Sequence, residues 1–315
     1  MCGIVGFFSN NYNTEATDIL KRMLGCIKYR GPDESGIYIS PNVRLSIIDL
    51  QTGQMPLSNE DGSLWIVHNG EIFNYIELKE RLIKLGHHFN TSSDTEVILH
   101  LYEEFGKDCL SMMNGQFAFA IWNNRKQELF LARDRVGIRP LFYTSTPNGF
   151  VFASEIKALF EFPDVKPGIS INSLSQVFTF WTTLTPNTIF ENVYEVSPGQ
   201  CITINTKETA HYTYWELPIY NQDEYNNTGL DNCLKEFEEL FTDSVRLRMR
   251  SDVEVGAYLS GGIDSCATTS YIKKVSANNL HTFSIGFTDK EFDESFYQKL
   301  AVDYLKTKHH KIVCN

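Results

Sequence analysis

The sequence has no apolar run approaching the ~18 residues that a membrane helix needs. Its start lacks the basic segment and long apolar stretch of a secretory leader. It has no block of basic residues, and its formal net charge is -11. That balance argues against a nucleic-acid surface and a polybasic membrane patch, and the expected location is cytoplasmic. Cysteine is sparse. Cys2, Cys26, Cys109, Cys201, Cys233, Cys266 and Cys314 are odd in number, scattered, and form no CxxC pair. This disfavours a disulfide framework or a cysteine zinc site and fits a reducing compartment. Internal repeats are absent. What is present is ordinary globular material, with 42% hydrophobic and 13% aromatic residues in a chain of 315, long enough for two domains.

The periodicities divide the chain. Strands are expected at residues 3–8, 44–48, 64–68, 116–122, 128–133, 141–145, 150–154 and 200–204, with helices at 14–28, 75–85 and 95–105. A polar stretch at 218–230 reads as a linker between a first domain, 2–217, and a second, 231–315. The second alternates helix 231–250, strand 253–259, glycine turn 260–263, helix 264–274, strand 281–287, helix 295–305 and strand 309–313. That order predicts a parallel sheet with helical crossovers.

Cys2 stands directly behind Met1. Once methionine is clipped, one residue carries both a thiol and an α-amine. The amine titrates near ~8 and can act as a base, while the thiol, near ~8.5, is already slightly ionised. Arg44 opens a strand and could grip a substrate carboxylate through both guanidinium edges. Asn69 beside Gly70 offers a side-chain amide and a backbone N–H, a pair suited to an oxyanion, although the same dipeptide also makes hairpin turns. Asp94 precedes a helix, where it could meet a substrate ammonium or serve as the N-cap.

In the second domain, Ser260-Gly261-Gly262-Ile263-Asp264-Ser265 lies between an apolar strand and a helix. A glycine turn there points N–H groups at an anion. No Gly-Lys-Ser/Thr follows, so it is not a Walker A loop. Serines, glycines and one Asp suit pyrophosphate as a leaving group, with Asp264 near a magnesium ion.

Further stretches extend these: Arg30-Gly31-Pro32-Asp33-Glu34-Ser35-Gly36, Arg44-Leu45-Ser46-Ile47-Ile48-Asp49, Asn69-Gly70-Glu71-Ile72-Phe73-Asn74-Tyr75, Asp94-Thr95-Glu96, Asn114-Gly115-Gln116-Phe117-Ala118, Ala132-Arg133-Asp134-Arg135 and Ala153-Ser154-Glu155-Ile156-Lys157-Ala158-Leu159. Together with Met1-Cys2-Gly3-Ile4, in this order, they resemble the glutaminase domain of class II glutamine amidotransferases. More closely, the chain resembles the glutamine-hydrolysing asparagine synthetase family. The resemblance implies an α+β N-terminal-nucleophile hydrolase domain, two stacked antiparallel sheets between helices, followed by an incomplete α/β ATP-pyrophosphatase-like domain with a parallel sheet. It implies a carbon–nitrogen ligase with glutamine as amido donor, in which the processed Cys2 releases ammonia through a thioester.

The family's glutamine-binding residues fall on Arg44, Leu45, Ser46, Ile47 and Ile48, on Asn69, Gly70 and Glu71, and on Asp94. Arg44 is assigned to the carboxylate, Asn69 with Gly70 to the oxyanion, and Asp94 to the amine. Residues 30–33 resemble the loop that closes over glutamine. ATP contacts carried over are Leu259, Ser260, Gly261, Gly262, Ile263, Asp264, Ser265 and Ile285. ATP with magnesium serves the synthetase half and no cofactor serves the glutaminase. Aspartate is the implied acceptor through an acyl-adenylate. The implied partners include a homodimer mate or a complementing C-terminal polypeptide.

The chain departs from the family at Cys266, where a serine is usual. The family's synthetase domain also continues past position 315, with a second Ser-Gly ATP contact, an acidic acceptor site and basic residues for the departing pyrophosphate. The expectation is therefore a fragment, an engineered piece or half of a split enzyme, competent in glutaminase chemistry but not in complete synthesis. Rival readings are a relative with another acceptor, such as a sugar or cell-surface precursor, and a catalytically silent binding partner.

Overall fold

The structure, a computed structural model, describes residues 2–9, 15–49, 55–221, 229–276 and 280–315. Met1 and residues 222–228 of the expected linker lie outside that set. The chain forms two compact units, Met1–Pro218 and Ile219–Asn315.

The first unit runs β1 (Gly3–Phe8), α1 (Ala16–Cys26), β2 (Glu34–Ile39), β3 (Val43–Asp49), β4 (Leu57–Ser58), β5 (Leu64–Ile72), α2 (Tyr75–Lys84) and α3 (Asp94–Phe105). It continues with α4 (Cys109–Met112), β6 (Gly115–Asn123), β7 (Glu128–Arg133), β8 (Phe142–Thr146), β9 (Gly149–Ala153), α5 (Ile156–Leu159) and α6 (Ile171–Phe180). Strands β10 (Tyr194–Glu195), β11 (Gln200–Ile204) and β12 (Thr209–Thr213) finish it. Two six-stranded sheets result, ordered β10-β8-β9-β1-β3-β2 and β12-β11-β7-β6-β5-β4. Every pairing within them is antiparallel.

Alternation along the strands explains the layering. In β1, Ile4 and Phe8 face the other sheet, where they meet Val67, Trp122 and Leu131. Val5 and Phe7 face outward onto Ile19, Leu20 and Met23 of α1. The second sheet repeats this arrangement: Leu64, Ile66 and Ile72 of β5 turn outward onto Leu82 of α2 and Val97, Ile98 and Leu101 of α3. Each sheet is thus buried on both faces, which is why its strands read as apolar runs rather than as alternating patterns. The order is helix, sheet, sheet, helix. Truncating a fully buried side chain such as Phe152 to alanine should cost about 3–5 kcal/mol.

Strand β2 and helix α6 were not anticipated from periodicity. β2 has no buried position, only exposed and half-buried ones, so it gives little apolar signal. Helix α6 buries only Ser173, so it carries little apolar signal on an inner face.

The second unit contains α7 (Leu230–Arg248), β13 (Gly256–Tyr258), α8 (Ile263–Val275), β14 (His281–Phe287), α9 (Ser295–Leu305) and β15 (Lys308–Cys314). Its strands are parallel in the order β13-β14-β15, with α8 and α9 as the crossovers. No helix among the described residues is long and apolar enough to cross a membrane.

Candidate active site

Cys2 directly precedes β1 and is half-buried. It packs against the cluster between the sheets, as the even-numbered Ile4 and Phe8 do. Its backbone is fixed from outside the strand. Arg30 Nε donates to the Cys2 carbonyl at 3.0 Å, and Arg30 Nη1 is bound to Glu155 at 2.9 Å. One residue beyond Gly3, Ile4 N donates to Ser154 Oγ at 2.9 Å and Ser154 N to the Ile4 carbonyl at 2.8 Å. The segment expected to form a closing loop therefore begins with a residue, Arg30, that anchors Cys2. Burial pushes the Glu155 carboxyl up, but hydrogen bonds from Tyr29, Arg30 and Lys157 outweigh it and hold the group below its ordinary range.

Asn69, Gly70 and Glu71 do not form a turn. They continue β5 opposite Ala118, Phe117 and Gln116. Asn69 shares a strand face with Val67, so its side chain points between the sheets, toward the space that Cys2 borders. It is only 1% exposed, and its Nδ2 is a buried donor with no acceptor among the described residues. Leaving such a donor unpaired costs about 1–3 kcal/mol.

The Gly70 N–H can be placed by its neighbours. Phe73 N donates across the ladder to Asn114, whereas Ile72 N turns the other way, to Asp94 Oδ2 at 2.7 Å. Two-residue alternation puts Gly70 N on the side of Ile72 N. There β4 covers β5 only at Trp65 and Ile66 among the described residues. A side chain at Gly70 is sterically barred, because a Cβ would stand 2.1 Å from the Gln116 carbonyl oxygen.

Asp94 is the first residue of α3, and Ser93 is the cap, its Oγ accepting from Thr95 N at 3.2 Å. The N-cap reading of Asp94 is therefore replaced by one in which a carboxylate oxygen ties the end of β5 to the start of the helix. His68 Nδ1 lies 3.0 Å from Thr95 Oγ1 and makes a second tie between the same elements.

Residues 44–48 lie in the strand that pairs with β1. β3 runs antiparallel to β1 with Gly3 opposite Ile48 and Phe7 opposite Arg44. Arg44 is thus four register positions, ~13 Å, from the Cys2 end. Leu45 and Ile47 point between the sheets, while Arg44 shares the opposite face with Ser46 and Ile48. Its guanidinium is buried and donates to the carbonyls of Ser40 and Val43. Burial pulls its pKa down. Ser46 Oγ is bound to the Gly36 carbonyl at 2.7 Å, and Leu45, Ile47 and Ile48 are core residues. Of this stretch, only its Ile48 end lies beside Cys2.

A different arginine stands there. Asp134, 1% exposed, accepts from the backbone N–H of Phe117, Val136, Ile138 and Arg139 at 3.0–3.2 Å. Arg133 closes the same loop, donating to the carbonyls of Arg139, Gly137 and Val196 at 2.7–2.9 Å. Phe117 is the residue opposite Gly70, so the loop is pinned beside the candidate oxyanion donors. Arg139 is half-buried and its Nε is a buried donor with no acceptor among the described residues. Burial pulls its pKa down, and the charges acting on it are those of Cys2, Glu71, Arg30 and Asp134. The motif around Arg133 and Asp134 was visible in the sequence. That it folds a loop delivering Arg139 was not.

The glycine loop of the second unit satisfies itself. Ser260 N donates to Ser265 Oγ at 3.1 Å, the two hydroxyls are 3.0 Å apart, and Gly262 N donates to Ser260 Oγ at 3.2 Å. Gly261 has φ +95, and a Cβ there would meet Gln298 N at 3.0 Å. Leu259 is fully buried beneath, bonded to Phe283, whereas Ile285 is 54% exposed on β14. Ile263 and Asp264 are exposed in the first turn of α8, and Cys266 N continues the helix by donating to Gly262 at 3.1 Å.

Residues 1–215 match the family described as glutamine amidotransferase domain, and residues 236–315 match asparagine synthase. The chain belongs to the glutamine amidotransferase family. This amidotransferase is 38% identical to the putative glutamine-hydrolysing asparagine synthetase 2 of Methanocaldococcus jannaschii, over 98% of its own length and 64% of that protein. It is 40% identical to glutamine-hydrolysing asparagine synthetase 1 of Bacillus subtilis, over 93% of this chain and 47% of that one. It therefore spans between about half and two thirds of these relatives. Its fold is similar to the B. subtilis glutamine phosphoribosylpyrophosphate amidotransferase, with TM-score 0.52 and 20% identity, covering 98% of this chain and 65% of that one.

Proposed function

We propose that this amidotransferase opens the side-chain amide of glutamine at Cys2 and supplies the ammonia to an ATP-dependent amidation of the asparagine synthetase type, with aspartate as acceptor. The observation that carries the amide half is the buried, unpaired Asn69 Nδ2 facing the space that Cys2 borders. With Met1 removed, the α-amine takes the thiol proton and the sulfur attacks the amide carbon. The oxygen that gains charge accepts from Asn69 Nδ2 and Gly70 N. Collapse expels ammonia, which takes the proton back, and leaves a thioester between Cys2 and the glutamyl group. Water, deprotonated by the same amine, attacks the thioester and releases glutamate and the thiol. Asp94 stands at the joint of β5 and α3 for the substrate ammonium. Arg139 rather than Arg44 is suited to the α-carboxylate: its Nε is a buried donor with no acceptor among the described residues, and the charge of Cys2 acts on it, whereas Arg30, whose Nη2 is also unpartnered, is already held by Glu155 and the Cys2 carbonyl.

The residues of the second unit fit a polyphosphate. The hydroxyls of Ser260 and Ser265 and the start of α8 meet at one turn, where Gly261 leaves no room for a side chain. ATP bound there would activate a carboxylate as its adenylate. Asp264 is an exposed carboxylate on the same turn, and its exposure supports giving it the magnesium.

The test is the stoichiometric release of glutamate and ammonia from glutamine by the purified protein. Absence of both, in protein whose amino terminus is Cys2, would overturn the amide half. The acceptor is tested on the complete gene product: aspartate should stimulate AMP formation from ATP, and stimulation by another carboxylate alone would replace aspartate.

A further inference from the structure

A second constellation lies apart from Cys2, on the outer, helical side of the second sheet. Glu60 sits in the turn between β4 and β5, His87 follows α2, and His100 and Glu103 share one face of α3. One ligand atom from each lies within 4.8 Å of all the others. His87 Nδ1 is 3.4 Å from Glu60 Oε1, and His100 Nδ1 is 3.5 Å from Glu60 Oε2 and 3.9 Å from Glu103 Oε2. These separations exceed the usual hydrogen-bond length of about 2.7–3.2 Å. They resemble the edges of a tetrahedron built on bonds of ~2.1 Å, which are ~3.4 Å.

His100 decides the matter. Its side chain is 0% exposed, and neither ring nitrogen has a hydrogen-bond partner among the described residues. A buried imidazole with two idle nitrogens is costly unless something else binds it. Around it stands a supporting set: Glu104 Oε1 is 3.1 Å from His87 Nε2, Glu96 Oε1 is 3.7 Å from His100 Nε2, and Asn59 Nδ2 donates to Glu103 Oε2 at 3.2 Å. Carboxylates behind the imidazoles are what orients them in metal centres. Glu60 and Glu103 are exposed and give an ion its way in.

We propose that Glu60, His87, His100 and Glu103 bind one divalent transition-metal ion of the zinc class. Two imidazoles and two carboxylates suit that class better than magnesium or calcium. The ion staples the β4–β5 turn, the connection after α2, and α3. Since α3 holds β5 through Asp94 and Thr95, the staple braces the strand that carries Asn69 and Gly70.

The protein should be purified without a metal-affinity step, stripped with chelator, and titrated with zinc and with cobalt. The expected result is one zinc per chain and a raised melting temperature on reloading. Cobalt should give a four-coordinate spectrum without a thiolate charge-transfer band. Binding should be lost in His87→Asn and Glu103→Gln, which leave the buried His100 in place. It should weaken about tenfold in Glu104→Gln. A thiolate band, unchanged stoichiometry in His87→Asn and Glu103→Gln, or no zinc-dependent change in melting would each overturn the site.

Discussion

Two glycine-bearing segments of this protein, residues 69–71 in β5 and residues 260–265 before α8, handle their polar groups in opposite ways. In the first, a rigid antiparallel ladder aims donors at a space that supplies no acceptor: Asn69 Nδ2 stays buried and unpaired, as does the nearby Arg139 Nε. In the second, Ser260, Gly262 and Ser265 bind one another. Unpaired donors fixed by a sheet cost stability in the free protein and need no rearrangement when charge develops. A self-bonded loop costs nothing in the free protein but must exchange partners when an anion arrives. The difference suggests a preorganised chemical site in one case and a binding loop that adjusts to its ligand in the other.

The largest expected effect is at the nucleophile. Cys2→Ala should reduce glutamate release by at least about 10³-fold, read in a coupled glutamate assay, with melting little changed. Asn69→Ala should follow, with a loss of about 10²–10³ in kcat and a smaller change in KM. If it lost only affinity, Asn69 would be a binding group and the contrast between the two segments would weaken. Ser265→Ala, from the self-bonded loop, should leave glutaminase kinetics alone and lower the melting temperature slightly.

A pair of arginines sharpens the comparison. Arg139→Met should raise KM for glutamine about tenfold or more, because a charge-assisted pair with the carboxylate is worth roughly 1.5–3 kcal/mol. Arg44→Met should leave KM unchanged and destabilise the fold by about 1–3 kcal/mol, since it orphans the carbonyls of Ser40 and Val43. The reverse pattern would return the carboxylate to Arg44.

The smallest effect concerns pH. Glu155 is held below its ordinary carboxylate range, so it binds protons more weakly folded than unfolded. Its contribution is present above the unfolded value of about 4.3 and fades as pH falls through the lower folded value. Glu155→Gln should flatten the acid limb of a stability profile below about pH 4 and leave the neutral region with a small, constant loss. An unchanged acid limb would show that the Arg30–Glu155 pair is not holding the Cys2 end of β1.

Much of this was legible in the sequence, and the failures share a cause. Cys2, the strand behind it and the β-α-β order of the second unit are local patterns, so residue order alone displays them. The proposed role of Asn69 and Gly70 came from their chemistry, but their conformation was not legible: an Asn-Gly pair reads as a turn until its ladder to β6 is seen. For Arg44, a motif cannot tell which end of β3 meets Cys2. The pairing of Gly3 with Ile48 settles that, and such pairing is long-range. Arg139 was hidden because its position depends on the loop that the Asp134 carboxylate gathers. The cluster around His100 draws residues from three separate elements, which no spacing rule joins.

The most direct test of the central claim is intact-mass analysis of the protein quenched in acid during turnover of glutamine, followed by peptide mapping. The account predicts an amino terminus that begins at Cys2 and a glutamyl group carried on its sulfur. Continuing glutamate release from protein that retains Met1, with no adduct on the first peptide, would contradict it.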